Sequence, residues 1–317
     1  MRQHTVPTPY VVGEAHFYTI ETEAGLVLFD TGPPTPEGEA CLTAAVDFAR
    51  LQSLFITHGH IDHYGLADFV LKNSDARVYI GRRDAVKFSR YRERRARAAE
   101  IIMQTGFDHQ FVQQLHEMFR QAEPSPLLLE QCRIVEESPE LAGMGIGWLA
   151  CPGHSQSDLV YLVDGYAVTG DLLLDNIFQA PLLDVDLETF SGRFRNYAAY
   201  CNSLLNLATL RGRRIMPGHR QGVAGVDEAI LFYVTTLMER AGQIRPLRHL
   251  PIEEMLDRLF RGRLTDPFSI YLKGSEIVFM QDFLDEPALL KGSLERIGLF
   301  GQVEELYGSV TADKENP

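Results

Sequence analysis

The chain has 317 residues, 43 acidic against 30 basic side chains, a formal net charge of −13 and 45% hydrophobic residues. This is ordinary globular usage with enough apolar material for a large core, and the negative balance disfavours a general nucleic-acid or anionic-membrane surface. No apolar run approaches the roughly 18 residues of a membrane span. The N-terminal Met1-Arg2-Gln3-His4-Thr5-Val6-Pro7 has no signal-peptide apolar region. Cys41, Cys132, Cys151 and Cys201 are scattered without a C-x-x-C pair, so reduced thiols and a cytoplasmic location are expected.

In chain order, hairpin-like strands are predicted over residues 8–30, closing on Leu26-Val27-Leu28-Phe29-Asp30-Thr31-Gly32. A helix follows over 36–51, with Ala40, Leu42, Ala45 and Phe48 as core positions. Leu54-Phe55-Ile56 is strand-like, 66–71 opens a helix and 76–80 is a strand. Residues 82–127 read as a helical insertion. It begins with an arginine-dense stretch through Arg97, and a second helix carries Phe111, Leu115, Met118 and Phe119 on one face. Strands recur at 133–135 and 146–150, and Leu159–Val163 pairs with 166–168 across Asp164-Gly165. A long amphipathic helix over 190–210 precedes the strand Arg214-Ile215-Met216. From Asp227 the pattern turns helical: 227–241, 252–260, and two further helices after Pro267 and Pro287. On the first of these, Leu231, Phe232, Val234, Leu237 and Met238 need a partner surface. The polar tail 311–317 is expected to fray.

The chemistry concentrates in Thr57-His58-Gly59-His60-Ile61-Asp62-His63-Tyr64-Gly65, where four potential metal ligands fall within six residues. In an extended loop His58, His60 and Asp62 point one way and His63 the other, an arrangement that can serve two neighbouring cations. Imidazole and carboxylate without thiolate suit zinc, iron or manganese and argue against a Cys-rich structural zinc. Three more strand-like segments end on a ligand type: Cys151-Pro152-Gly153-His154-Ser155, Val168-Thr169-Gly170-Asp171 and Pro217-Gly218-His219. Glycine in each loop lets backbone approach a crowded site. Cys151 lies three residues before His154 and is expected to be buried.

A strand ending in Asp-Thr-Gly, then His-x-His-x-Asp-His, Gly-His, Gly-Asp and Pro-Gly-His, in that order over roughly residues 8–222, resembles the metallo-β-lactamase superfamily. The resemblance implies an α/β fold, a four-layer αβ/βα sandwich with the site at one edge of two facing sheets. The helical insertion and the helical C-terminal extension are added to it. The expected organisation is a catalytic unit over 1–226, carrying the insertion as a cap at 82–127, with helical residues 227–317 packed on it. By the same resemblance His58, His60 and His154 hold one metal, Asp62, His63 and His219 the other, and Asp171 bridges them. Asp30 orients the ligand loop without binding metal. Two divalent ions are implied, zinc first and iron or manganese next. Asp62 and Asp171 are the catalytic carboxylates: against four cationic charges they remove two and a bridging hydroxide a third. The remaining charge suits a developing oxyanion.

Gly-x-Ser-x-Gly does not occur, and hydrolysis needs no serine or cysteine nucleophile here. The C-terminal helices resemble the layout of glyoxalase II-like and acyl-thioester hydrolases, which favours a thioester or ester with an anionic carrier. Tyr64-Gly65-Leu66 replaces the double glycine of glyoxalase II, and the loop from Gly153 to Asp158 lacks its Thr-Pro-Gly, which disfavours glutathione. Arg92, Arg94 and Arg95, with Tyr64, are the candidate contacts for the anionic part. The alternative for that segment is a solvated helix face held by local ion pairs. A phosphodiesterase or ribonuclease is the second functional reading, and a non-catalytic metal-binding sensor the third. The expected partner is a small-molecule substrate, with no membrane, nucleic acid unlikely and a homodimer possible.

Overall fold

The computed structural model describes residues 1–10, 12–118 and 124–312; the expectations for Phe119 and for residues 313–317 fall outside them. Strands β1 (Arg2–Pro7), β2 (Glu14–Thr22), β3 (Gly25–Phe29), β4 (Leu51–Phe55), β5 (Arg77–Ile80) and β6 (Cys132–Ile134) form one sheet in chain order. Pairing is antiparallel from β1 to β3 and parallel from β3 to β6. Strands β7 (Gly147–Ala150), β8 (Leu159–Val163) and β9 (Tyr166–Gly170) form an antiparallel meander, and β10 (Arg214–Pro217) lies parallel beside β9.

Alternation along each strand explains why the two sheets face each other. Val27 and Phe29 of β3, Phe55 of β4, Tyr79 of β5, and Tyr161 and Val163 of β8 share one buried cluster between the sheets. Their neighbours Leu28, Leu54 and Val78 point to the opposite face. The inter-sheet layer is aromatic: Phe55 stacks on Tyr79 at 4.7 Å and meets Tyr161 at 5.2 Å. The Tyr161 hydroxyl donates across the interface to the Ile56 carbonyl at 2.8 Å, so a buried polar tip is satisfied.

Helices cover both outer faces. Over the first sheet lie α1 (Pro36–Ala45), α2 (Ile61–Tyr64), α3 (Ala67–Asn73), α4 (Arg82–Ser89) and α7 (Pro126–Gln131), burying Leu42, Val70, Phe88 and Leu128. Between α4 and α7 run α5 (Tyr91–Gln104) and α6 (His109–Met118). The short α8 (Glu140–Gly143) precedes β7. Over the second sheet lie α9 (Asn196–Ala208), α10 (Val226–Ile244), α11 (Ile252–Phe260), α12 (Pro267–Asp285), α13 (Pro287–Ile297) and α14 (Glu304–Thr311). These share a core with Val160 and Ala167, and Ile101, Val112 and Leu115 of α5 and α6 join it. The result is a four-layer αβ/βα sandwich with a helical C-terminal extension. Leu237 and Met238 of α10 are fully buried. No described helix is long and apolar enough to cross a membrane.

Several boundaries differ from the sequence reading. An additional strand, β1, precedes residue 8, because Val6 and His4 alternate inward against β2. The first helix stops at Ala45: Val46 is already extended, and the Asp47 carboxylate accepts from Ala49 N at 3.2 Å, turning the chain. The helix expected from residue 190 starts at Asn196. Asp186 caps a turn by accepting from Glu188 N and Thr189 N, and Phe190 sits at φ +53°. A fifth C-terminal helix, α14, adds to the four that the sequence pattern predicts.

Phe283 of α12 is wholly buried, edge-on to Tyr197 of α9 at 6.0 Å and Tyr307 of α14 at 6.4 Å. Phe283→Ala is expected to destabilise the protein by about 3–5 kcal/mol. Denaturant unfolding should report this as a lower midpoint with unchanged slope.

Candidate metal centre

Five strand ends meet at one edge of the sandwich. Asp30 follows β3, His58 and His60 follow β4, His154 follows β7, Asp171 follows β9 and His219 follows β10. Backbone bonds hold these loops together: Leu159 N donates to Thr57 O at 2.9 Å and His16 N to Gly218 O at 2.7 Å between the sheets, and Gly218 N to Gly170 O at 2.7 Å within the second sheet. Gly218 is required by that crowding, since a Cβ there would lie 2.5 Å from Asp171 Oδ1 and 2.6 Å from His63 Cε1.

The ligand loop is not extended throughout, as the sequence pattern suggests. His60 is extended (φ −93°, ψ 145°), but Ile61–Tyr64 form the helical turn α2, closed by His63 N and Tyr64 N donating to His60 O. Helical rotation of about 100° per residue swings Asp62 and His63 away from His58 and His60. Two groups result: His58, His60, His154 and Asp171 in one, Asp62, His63 and His219 in the other.

Asp171 faces both. Its Oδ2 lies 3.5 Å from His154 Nε2 and 4.0 Å from His58 Nε2. Its Oδ1 lies 3.3 Å from both His63 Nε2 and His219 Nε2. Asp62 Oδ2 is 3.5 Å from His219 Nε2. In the first group His60 Nδ1 is 2.9 Å from His58 Nε2 and 3.1 Å from His154 Nε2. All of these residues except His60 are buried.

Burial lowers His58 and His60 well below the usual imidazole value, and neighbouring imidazoles push the same way, aided at His60 by Lys87. Their ring nitrogens therefore offer lone pairs. Burial also opposes charge on His63 and His219, but Asp171 together with Asp30 at His63 and with Asp62 at His219 outweighs it and raises both. Desolvation would raise Asp171; His219 and His63 override it and hold the carboxyl well below its usual range. The negative charge that raises these two imidazoles also favours metal cations at the same place. His63 Nε2, His219 Nε2 and Asp171 Oδ1 are buried and without a hydrogen-bond partner among the described residues. These orphaned atoms and the all-His/Asp donor set fit divalent metal ions.

Around the ligands, Asp30 accepts from Thr57 N, Thr57 Oγ1 and His63 Nδ1, each at 2.8 Å. That fixes His63 with Nε2 towards the site. Asp30 sits at φ +56°, a strained position for a non-glycine residue. His219 Nδ1 meets the Glu14 carbonyl at 2.7 Å. Asp158 accepts from Ser155 N at 2.7 Å and Ser155 Oγ at 2.8 Å, and Asn196 Nδ2 donates to Gly153 O at 2.9 Å. These bonds shape the His154 loop.

The expected substrate contacts fare differently. Arg94 Nε pairs with Asp184 Oδ2 at 2.7 Å, and both side chains are largely buried. Arg95 donates to the His116 carbonyl at 2.8 Å and lies over the Tyr91 ring. Both charges are thus engaged within the protein. Arg92 is exposed. Tyr64 is buried against Phe88, with ring centroids 4.7 Å apart, so it packs beneath the loop. Cys151 is fully buried, and burial pushes its thiol up to about 12. Sequence reasoning passes over Asp84 and Lys87, which press on Gly59 from α4. Their three-residue spacing puts both on one helix face, but nothing local shows which loop that face meets. Asp158 has a local signal, Ser155-x-x-Asp158, a spacing at which a side chain bonds nearby backbone.

Residues 11–219 match the model of the Metallo-beta-lactamase superfamily. The probable metallo-hydrolase YqjP of Bacillus subtilis (strain 168) is 28% identical over 240 residues, 71% of this chain and 73% of that protein. Among solved structures, a metallo-beta-lactamase family protein from Thermus thermophilus superposes with a TM-score of 0.70 at 21% identity, covering 90% of this chain and 93% of that one. A beta-lactamase domain protein from Burkholderia ambifaria gives 0.69 at 19% identity, covering 88% and 85%. These two structures share the fold.

Asp30→Asn turns one of the two carboxylate oxygens that accept from Thr57 and His63 into an amide donor and removes the charge. It should cost about 1.5–3 kcal/mol in denaturant unfolding, the scale of a charged hydrogen bond. An unchanged midpoint would mean that the Asp30 contacts carry no net stability.

Proposed function

The chain belongs to the metallo-beta-lactamase superfamily and is a metal-dependent hydrolase; from that premise we propose a dinuclear enzyme that hydrolyses a thioester or ester with an anionic carrier. The observation that carries the dinuclear reading is the division of Asp171, with Oδ2 facing His58 and His154 and Oδ1 facing His63 and His219. His58, His60, His154 and Asp171 would hold one divalent ion, and Asp62, His63, His219 and Asp171 the second. Zinc suits this donor set first, with iron or manganese next. When bound, such ions supply a water-derived nucleophile at neutral pH and charge to offset a developing oxyanion.

The chain's own residues do the rest. Asp30 holds His63 in one orientation through Nδ1, and the Glu14 carbonyl does the same for His219. Asp62 and Asp171 offset part of the cationic charge and leave the site net positive, which suits attack on a carbonyl that becomes an oxyanion. The buried loops keep bulk water from the donor atoms. For the carrier, Arg92 is the arginine of the three that is exposed to solvent on the insertion.

Two measurements follow. Elemental analysis should find about two metal ions per chain, with His60→Ala and Asp171→Ala losing both metal and hydrolysis; full activity without metal refutes the reading. On metal-replete enzyme, a panel of acyl-CoA and glutathione thioesters should outperform bis-p-nitrophenyl phosphate and RNA. Phosphodiester turnover without thioesterase activity would make the enzyme a phosphodiesterase, and no turnover with full metal would favour a sensor. Within that panel Arg92→Glu should raise KM more than it lowers kcat. Arg94→Glu should instead destabilise the fold by about 3–5 kcal/mol, the scale of breaking a buried pair.

A further inference from the structure

Three side chains of α4 reach the ligand loop. Lys87 Nζ donates to the Gly59 carbonyl at 2.5 Å. Asp84 is wholly buried and lies so close to Gly59 that a Cβ there would sit 2.3 Å from Asp84 Oδ1 and 2.8 Å from its Cγ. Phe88 closes the remaining space, 3.0 Å from that same point, and packs on Tyr64. Gly59 separates His58 from His60, so its peptide groups set the relative aim of those two imidazoles. The helix is itself seated beside the site: Gly81 at its start follows β5, and Leu159, which follows the His154 loop, lies 3.3 Å from where a Gly81 Cβ would be.

We infer that Lys87 and Asp84 are positioning residues, holding the Gly59 peptide so that His58 and His60 converge with His154 on one metal ion. This rests on the two-metal reading proposed above. Charge alone argues in the opposite direction for Lys87. An ammonium beside a cation site repels a divalent ion, so its removal would tighten metal binding if electrostatics decided the outcome. If the hydrogen bond to Gly59 O decides it, removal loosens the loop and weakens binding. Asp84 supplies the compensating negative charge and fills the space that a side chain at position 59 would need. The sign of the Lys87 effect therefore separates positioning from mere proximity.

The test uses the full-length protein with zinc and with cobalt(II). Chelator competition and cobalt absorption are measured on wild type, Lys87→Met, Lys87→Arg and Gly59→Ala, with thermal unfolding of the metal-free proteins as a check on folding. Lys87→Met should weaken one of two sites by about tenfold to a hundredfold, the usual loss when a partner of a ligand loop is removed. The second site, at Asp62, His63 and His219, should stay near wild type. Gly59→Ala, which changes no charge, should weaken the same site by displacing Asp84, and Lys87→Arg should bind more tightly than Lys87→Met. Unchanged or tighter binding by Lys87→Met overturns the inference. Should Lys87→Met fail to fold, unaltered one-site affinity in Gly59→Ala overturns it as well. Wild-type protein with fewer than two sites would sink the two-metal reading instead, separately from any effect of Lys87.

Discussion

Asp171 is a carboxylate buried among four imidazoles, with its two oxygens divided between them. Such a group is costly to desolvate unless cationic charge surrounds it, and the fold is arranged to provide that surrounding. Parallel pairing of β3 with β4 and of β9 with β10 brings Asp30, His58, Asp171 and His219 to the same edge. The aromatic layer of Phe29, Phe55, Tyr79 and Tyr161 sets the sheets at a fixed separation behind it. Hydrogen bonds from Leu159 to Thr57 and from His16 to Gly218 then tie the loops of the two sheets together.

Much of this was legible in the sequence because it depends on local pattern. Leu54-Phe55-Ile56 running into His-x-His-x-Asp-His is a strand feeding a ligand loop, and each later ligand likewise follows a short apolar run and a glycine. What the pattern hid was the turn within the loop. Ile61 to Tyr64 carry no helix signal beyond their own length, and one turn of helix is decided by tertiary packing of Tyr64 on Phe88. The same holds for Phe190, whose apolar periodicity suggests helix while Asp186 and Gly192 impose a turn.

The arginine-rich segment shows where charge counting fails. Its density in an acidic protein suggests a reception site, yet Arg94 and Arg95 each find a partner outside their own helix, Asp184 and the His116 carbonyl. Sequence records how many charges a segment carries; whether each is free or engaged is set by contacts up to 90 residues away. The most consequential cation near the ligands is Lys87, whose ammonium is spent on a backbone carbonyl of the ligand loop.

The Arg94 contact has a consequence for inheritance. Asp184 accepts from Arg94 in the insertion, while its neighbour Leu183 accepts through its carbonyl from Tyr271 and donates through its amide to Ser275, both on α12. Three stretches distant in the sequence thus meet on two adjacent residues. A recombinant that exchanged any one stretch with a relative would strand a guanidinium, a carboxylate or a backbone pair in the interior. The insertion, the loop after Asp171 and the terminal helices are therefore expected to vary together from one relative to the next, as a single inherited block.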